Sequence, residues 1–436
     1  MLYLIGFVDF IPRLLYDDSI KTYQKSIKSR YFFMNKKTNR ALPLIAGSMI
    51  QLCIGIIYIW SIFQAPVMEY YGWSSADASV TFSVMLATFV LGIILGGRLN
   101  DKIGPRPVVF LGGILFAAGI FLSSLVPQSM PWLIYVFYGG MAGFGVGAAY
   151  TATISCAQKW FMDKKGFATG VIVCTFGAST VLFTPLVNYL LKAVGVSLTF
   201  RLLSILFIAV VLIFAWFIKN PTKEYMDKFT VASPQLSSQK QFSPVEVLKT
   251  KQYYLLVLCM MFLTPAYFII NPLLKSLGTM RGLVEAAALA GVMVTGIASA
   301  AGRLTAPWLS DKIGRRNVLF LLYGITIACI LLLTFAQGYL FIILIALIAY
   351  AFGGSAGVFP AIAADYYGTK NIGMNYGLVM IGFAISGLLF PAVARVVSVD
   401  GIPSALTFII PAAASVVGIL ITFMLHAPKT KLKLVK

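Results

Sequence analysis

The sequence predicts an all-α membrane protein of twelve transmembrane helices grouped six and six, and three observations predict it. Hydrophobic residues make up 59% of the 436 residues and charged residues 11%, with a mean hydropathy of +0.90. A soluble chain carries roughly 25% charged residues, so a soluble enzyme, a disordered chain and a nucleic-acid-binding protein are excluded. Twelve apolar stretches follow one another, each long enough to cross a hydrocarbon core about 30 Å thick. One polar segment, residues 219–251, divides them evenly.

The spans lie near 42–66, 78–98, 107–126, 131–155, 166–191 and 198–218, then 252–274, 285–309, 317–336, 338–361, 373–397 and 402–426. The expected organisation is an N-terminal extension (1–40), a six-helix bundle (41–218), a linker (219–251), a second bundle (252–427) and a basic tail (428–436). Ser243-Pro244-Val245-Glu246 has the pattern of a helix start, with Ser as cap, Pro at the first position and Glu at the third. A short helix is expected there, leading into span seven. Met1–Phe10 is apolar but too short for a span, with no charged region or cleavage site of a signal peptide. Two readings stay open: a surface amphipathic segment, or a start assigned upstream of Met34.

Charge sets the orientation. Of the 34 Lys and Arg residues, 28 fall in the segments sharing a face with the N-terminus and five on the opposite face. Positive residues collect on the cytoplasmic side, so both termini are cytoplasmic and topology accounts for the net charge of +20. The five cysteines lie inside apolar stretches and read as small buried hydrophobes. With one histidine, His426, at the end of the last span, no metal site and no cofactor are expected.

The 34th basic residue is Arg303, eight positions before Asp311 on span eight. At about 1.5 Å per residue it sits roughly 12 Å into the membrane, where a cation costs about 2.5–3.5 kcal/mol. It must face the protein interior. Its planar fork suits a carboxylate, which makes it an anchor for an organic anion. The alternatives are an ion pair with a buried acid, for which no partner is visible, and snorkelling to the cytoplasmic face. Tyr150, nine residues before Lys159, is about as deep. Tyr58 and Trp60 on span one, and Ser299 one turn from Arg303, are further lining candidates. Packing is the alternative for the aromatics, and a bond to its own helix for the serine.

An internal repeat links the halves. Gly97-Arg98-Leu99-Asn100-Asp101-Lys102-Ile103-Gly104-Pro105-Arg106 follows span two, and Ser310-Asp311-Lys312-Ile313-Gly314-Arg315-Arg316 follows span eight. A Gly turn, an Asp able to cap a helix start, and basic side chains able to bind carbonyl ends and acidic partners suit a contact between halves. Topological anchoring is the plainer reading of the basic residues. The loops resemble the signature loop of the major facilitator superfamily, which implies two six-helix bundles around a central cavity and alternating access.

The stretch Gln158-Lys159-Trp160-Phe161-Met162-Asp163-Lys164-Lys165-Gly166-Phe167-Ala168-Thr169-Gly170 resembles a block of the oxalate/formate antiporter family, close to the monocarboxylate transporters. Gly353-Gly354-Ser355, Ala364-Asp365-Tyr366-Tyr367-Gly368 and Asn375-Tyr376-Gly377 extend the resemblance across residues 40–428. It implies that Arg303 binds substrate carboxylate and that Tyr58 and Tyr150 line the site. Phe176 and Phe352 stand where the oxalate member has Tyr and Trp. Phe383 stands where it has a second cation, and Ala356 where it has a further Tyr.

With one cation, a second carboxylate would be left unpaired at a cost of several kcal/mol. The expected function is therefore secondary active transport of a small monocarboxylate such as lactate, pyruvate or formate by proton symport; anion exchange of the oxalate/formate type is the alternative. A non-transporting sensor is disfavoured by the short Lys-rich tail, and an enzyme by the lack of clustered polar groups at depth. The expected partners are a small carboxylate anion, protons and lipid, with no nucleic acid. Oligomeric state stays open, with a monomer compatible. The expected location is the plasma membrane.

Overall fold

The computed structural model describes residues 40–232, 240–270, 274, 277–278, 281–397 and 405–427. The expected basic tail and all but the last residue of the N-terminal extension lie outside them. All regular elements among the described residues are helical. Span one is Ala41–Ile54, a 3₁₀ stretch Gly55–Ile59, and Trp60–Tyr71. Spans two and three are Ser75–Ile103 and Pro105–Ser123. Span four is a π-helical stretch Tyr135–Ala142 continuing into Gly143–Trp160. Spans five and six run through Lys165–Ala215, broken at Gly195.

Span seven is Lys251–Leu263 followed by Pro265–Ile270. Spans eight, nine and ten are Glu285–Ile313, Arg315–Leu333 and Gly338–Tyr367. Span eleven is Ile372–Val379 and Ile381–Val397, and span twelve is Ala405–Met424. Among the described residues, nine stretches are long and apolar enough to cross a membrane, one of them being the double helix Lys165–Ala215. Spans four and eight, rich in Gly, Ala and Ser, complete the twelve.

The linker contains the short helix Pro244–Leu248. The Ser243 hydroxyl accepts from the Glu246 amide at 3.3 Å, and the Glu246 carboxylate accepts from the Ser243 amide at 2.8 Å. These bonds satisfy two donors that a helix start leaves open. A second linker helix, Lys223–Ala232, was not expected from the sequence.

Lipid offers no hydrophobic gain for bringing helices together, so close van der Waals contact holds them. Leu91, Leu95, Leu111, Ile205, Ile213 and Leu420 lie on the outside. Inside, Gly143 and Gly147 of span four press against the backbone of span two, and Gly145 against that of span three. The two sets of six meet where span two packs on span eleven and span five on span eight.

Candidate functional site

Arg303 is 2% exposed. Its guanidinium carbon lies 5.2 Å from the Tyr58 ring centroid and 5.8 Å from that of Phe176. Local breaks and small residues produce this arrangement. Tyr58 sits in the 3₁₀ stretch of span one, where Gly55 lies against the Phe176 carbonyl and Ser179. A Cβ on Gly177 would strike the Arg303 guanidinium, so this glycine makes the room in span five that the arginine fills. Tyr150 meets Phe176 edge-on at 5.0 Å. The four residues Arg303, Tyr58, Phe176 and Tyr150 thus form one cluster built across the two halves.

A guanidinium over an aromatic face gains about 0.5–2 kcal/mol, which offsets part of its burial cost. Among the described residues no carboxylate lies within ion-pair distance of Arg303, and its Nε has no hydrogen-bond partner. Its charge interacts with the phenols of Tyr58, Tyr150, Tyr267 and Tyr376.

Phe352 and Phe383 belong to a second, apolar cluster with Tyr267 and Phe268. Tyr267 stacks on Phe352 at 3.9 Å, and Phe268 meets Phe383 at 5.0 Å. Tyr267 and Phe268 follow the break of span seven at Thr264, whose hydroxyl bonds to that of Ser386 on span eleven at 2.8 Å. Ser299 is buried, with its main chain against Gly353 of span ten, and is not joined to Arg303 by a hydrogen bond. Trp60 is elsewhere, packed on Tyr138 at 4.8 Å with its indole donating to the Ala78 carbonyl. Tyr267, Phe268, Gly177 and Tyr376 were not singled out as site residues from the sequence. Only Tyr376 carried a signal, its place in Asn375-Tyr376-Gly377.

The signature loops hold the halves together at the cytoplasmic end. Asp101 accepts the amides of Gly373 and Met374, at 3.2 and 2.9 Å, at the start of span eleven. Asp311 accepts those of Gly166 and Phe167, at 3.3 and 3.1 Å, at the start of span five. Both are anions at helix N-termini. Gly97 lies against the Gly373 backbone. Gly104 and Gly314 turn the chain with φ of 89° and 93°, conformations that a Cβ disfavours.

The loop arginines meet carbonyl ends and acids as the motif suggests, but within their own half rather than across the halves. Arg106 donates to the carbonyls of Trp216 and Ile218 at the end of span six. Arg316 donates to that of Phe423 at the end of span twelve. Both therefore stay within their own half. Lys102 is exposed, and Lys312 lies over Trp308 at 3.9 Å. Arg315 pairs with Asp311 at 2.6 Å and Asp365 at 2.8 Å, while Lys165 reaches Asp365 across the halves at 3.2 Å.

The family model for the Major Facilitator Superfamily matches residues 45–362 and 294–436. The oxalate:formate antiporter of Oxalobacter formigenes is 28% identical over 354 residues, covering 78% of this chain and 80% of that protein. An uncharacterized MFS-type transporter of Escherichia coli, YhjX, is 26% identical over 81% of this chain and 87% of its own length. Monocarboxylate transporter 13 of Bos taurus is 26% identical over 78% of each. Among solved structures, the transporter FucP in its outward conformation superposes with a TM-score of 0.70 at 16% identity, covering 89% of this chain and 100% of that one.

Proposed function

The chain belongs to the Major Facilitator Superfamily, a multi-pass transporter of the plasma membrane, and on that premise we propose that it carries a small monocarboxylate by proton symport through alternating access. The observation that carries this reading is the buried Arg303 guanidinium, lying on two aromatic faces with no carboxylate beside it among the described residues. An anionic substrate neutralises that charge in a medium where the attraction is strong. Phe383 and Phe352, in the apolar cluster with Tyr267 and Phe268, bring no second cation, which suits one carboxylate and disfavours a dianion. Relatives named for oxalate and formate and for monocarboxylates support a small carboxylate as substrate.

In this reading the proton travels with the substrate. Protonating the bound carboxylate discharges its pair with Arg303, so no acid at depth is required. The signature-loop aspartates hold the cytoplasmic side shut and let go when it opens. The test is uptake of labelled L-lactate, pyruvate, formate and oxalate into proteoliposomes, with and without an inward proton gradient. Gradient-driven monocarboxylate uptake that falls at least a hundredfold in Arg303→Ala is expected. Oxalate uptake that requires an internal anion would overturn the reading in favour of exchange.

A further inference from the structure

Gln51 is fully buried in the apolar first helix of span one, Ala41–Ile54. A polar side chain there costs free energy unless it is bonded. Its amide nitrogen donates to the Thr153 hydroxyl at 2.8 Å and to the Tyr150 carbonyl at 3.2 Å, both on span four. A carbonyl only accepts, so the nitrogen of the amide must be the end that faces it. The Thr153 hydroxyl shares its own hydrogen between the carbonyls of Ala149 and Tyr150, at 3.0 and 2.9 Å. The Tyr150 carbonyl thus takes two side-chain donors beyond the amide that a helix ordinarily brings to it.

These bonds fix what the ring contacts of Tyr150 leave loose. Phe89 and Phe176 meet its ring edge-on at 5.4 and 5.0 Å, and such contacts are satisfied over centroid separations of about 4.5–7 Å. A hydrogen bond to the residue's own carbonyl is far less tolerant of distance and angle. Tyr58 stands seven residues along span one from Gln51, its ring 5.2 Å from the Arg303 guanidinium carbon. Between them Gly55 seats the span on the Phe176 carbonyl of span five. Gln51 therefore ties the span that carries one phenol to the main chain of the residue that carries the other. We infer that Gln51 is a positioning residue: by gripping the Tyr150 carbonyl it sets the height of Tyr150 relative to Tyr58, and with it the affinity of the Arg303 site for its carboxylate. This inference rests on the monocarboxylate reading above. It adds a residue that acts on the substrate only through the Tyr150 phenol.

The test is the concentration dependence of L-lactate, pyruvate and formate uptake into proteoliposomes, with passive entry into protein-free liposomes subtracted. Gln51→Met keeps an unbranched side chain of similar length and removes the donor. It is expected to raise KM about three- to tenfold and to leave the maximal rate within about twofold. Tyr150→Phe should raise KM at least as much. In that background Gln51→Met should add less than about twofold, because residues that act as one unit are not additive. A merely structural glutamine gives the same factor in both backgrounds, or a lost maximal rate with KM unmoved, and either result overturns the inference. An unchanged KM in Gln51→Met or in Tyr150→Phe overturns it as well. If Gln51→Met does not fold, Thr153→Val removes the other partner of the amide and must show the same dependence on the Tyr150 phenol. A wild type that carries none of the three acids overturns the monocarboxylate reading itself, a failure distinct from the others.

Discussion

The two cytoplasmic latches share the residues Asp-Lys-Ile-Gly and the same contact, a carboxylate on two amides at a helix start, yet they are reinforced by different means. Four residues after the aspartate one copy has Pro105 and the other Arg315. Both open the next helix at the same position, after a glycine of similar conformation. The proline is suited to that position but carries no charge. The arginine adds an ion pair to Asp311 and one to Asp365, which Lys165 joins from the other half.

The latch at Asp101 has no such ion pairs across the halves among the described residues; the charge of Lys159, in its own half, acts on it, and Asn100 donates to it at 3.3 Å. Its target helix is instead fastened from behind by the linker. The side-chain amides of Asn371 and Asn375 donate to the Phe242 carbonyl, the Phe242 amide to the Tyr367 carbonyl, and the Lys370 amide to the Gln241 side chain. One latch is therefore backed by ion pairs that reach across the halves and the other by a hydrogen-bonded strap, itself tied by the Lys240–Glu246 pair at 2.8 Å.

The largest expected effect is the loss of the latch without an ion pair across the halves. Hydrogen bonds to a charged group contribute about 1.5–3 kcal/mol. Asp101→Asn should therefore speed hydrogen exchange at the Gly373 and Met374 amides by roughly ten- to a hundredfold. Asp311→Asn should speed exchange at Gly166 and Phe167 by less, because Lys165–Asp365 still spans the halves. Equal acceleration in peptide-resolved exchange would end the comparison.

A smaller effect sharpens it. Arg315→Pro gives the second copy the residue of the first at a position where proline is tolerated. In that background Asp311→Asn should approach the effect of Asp101→Asn. Asp365 is about a third exposed, so its pairs contribute up to about 1 kcal/mol and weaken with salt. Exchange at Gly166 and Phe167 should accordingly rise between low and high salt in the parent protein and lose that dependence in Arg315→Pro.

What the sequence made visible follows from how each feature is encoded. The spans, the repeated loops and the Ser243 cap are local patterns, and the helices of the structure form where those patterns stand. Arg303 is visible because a guanidinium amid twenty apolar residues has no ordinary reason to be there. Tyr267 and Tyr376 are hidden for the opposite reason: a tyrosine in a span has many. The faces these residues present depend on a break at Thr264, which Pro265 marks without saying which side chains it aims inward, and on one near Met380 that no proline marks. Gly177 was unreadable because its partner is a side chain on another helix, more than a hundred residues away. For the loop arginines, sequence spacing gives reach without direction, so carbonyl ends and acids are legible as partners but the half they belong to is not. The carbonyl ends they meet belong to spans of their own half.

The smallest expected effect concerns acid and the strap. Lys240 and the Ser243 bonds hold the Glu246 carboxyl at about 2, against an ordinary value of 4.5. A carboxyl lowered on folding stabilises the fold above its unfolded pKa, and that contribution is lost as pH falls through the folded one. The cap therefore keeps its full contribution at every pH above about 5 and gives it up only between about 4.5 and 2. Uptake assays between about pH 5 and pH 8 lie above that window, so the strap behind Asp101 is insensitive to pH across that range. Ser243→Ala removes the cap hydroxyl and lets the Glu246 pKa rise toward 4.5, still below the working range. It should lower thermal stability slightly and leave the pH profile of uptake between 5 and 8 unmoved. A profile that shifts with Ser243→Ala would place a proton-sensing step in the linker and break the division between a latch backed by ion pairs across the halves and one backed by a strap.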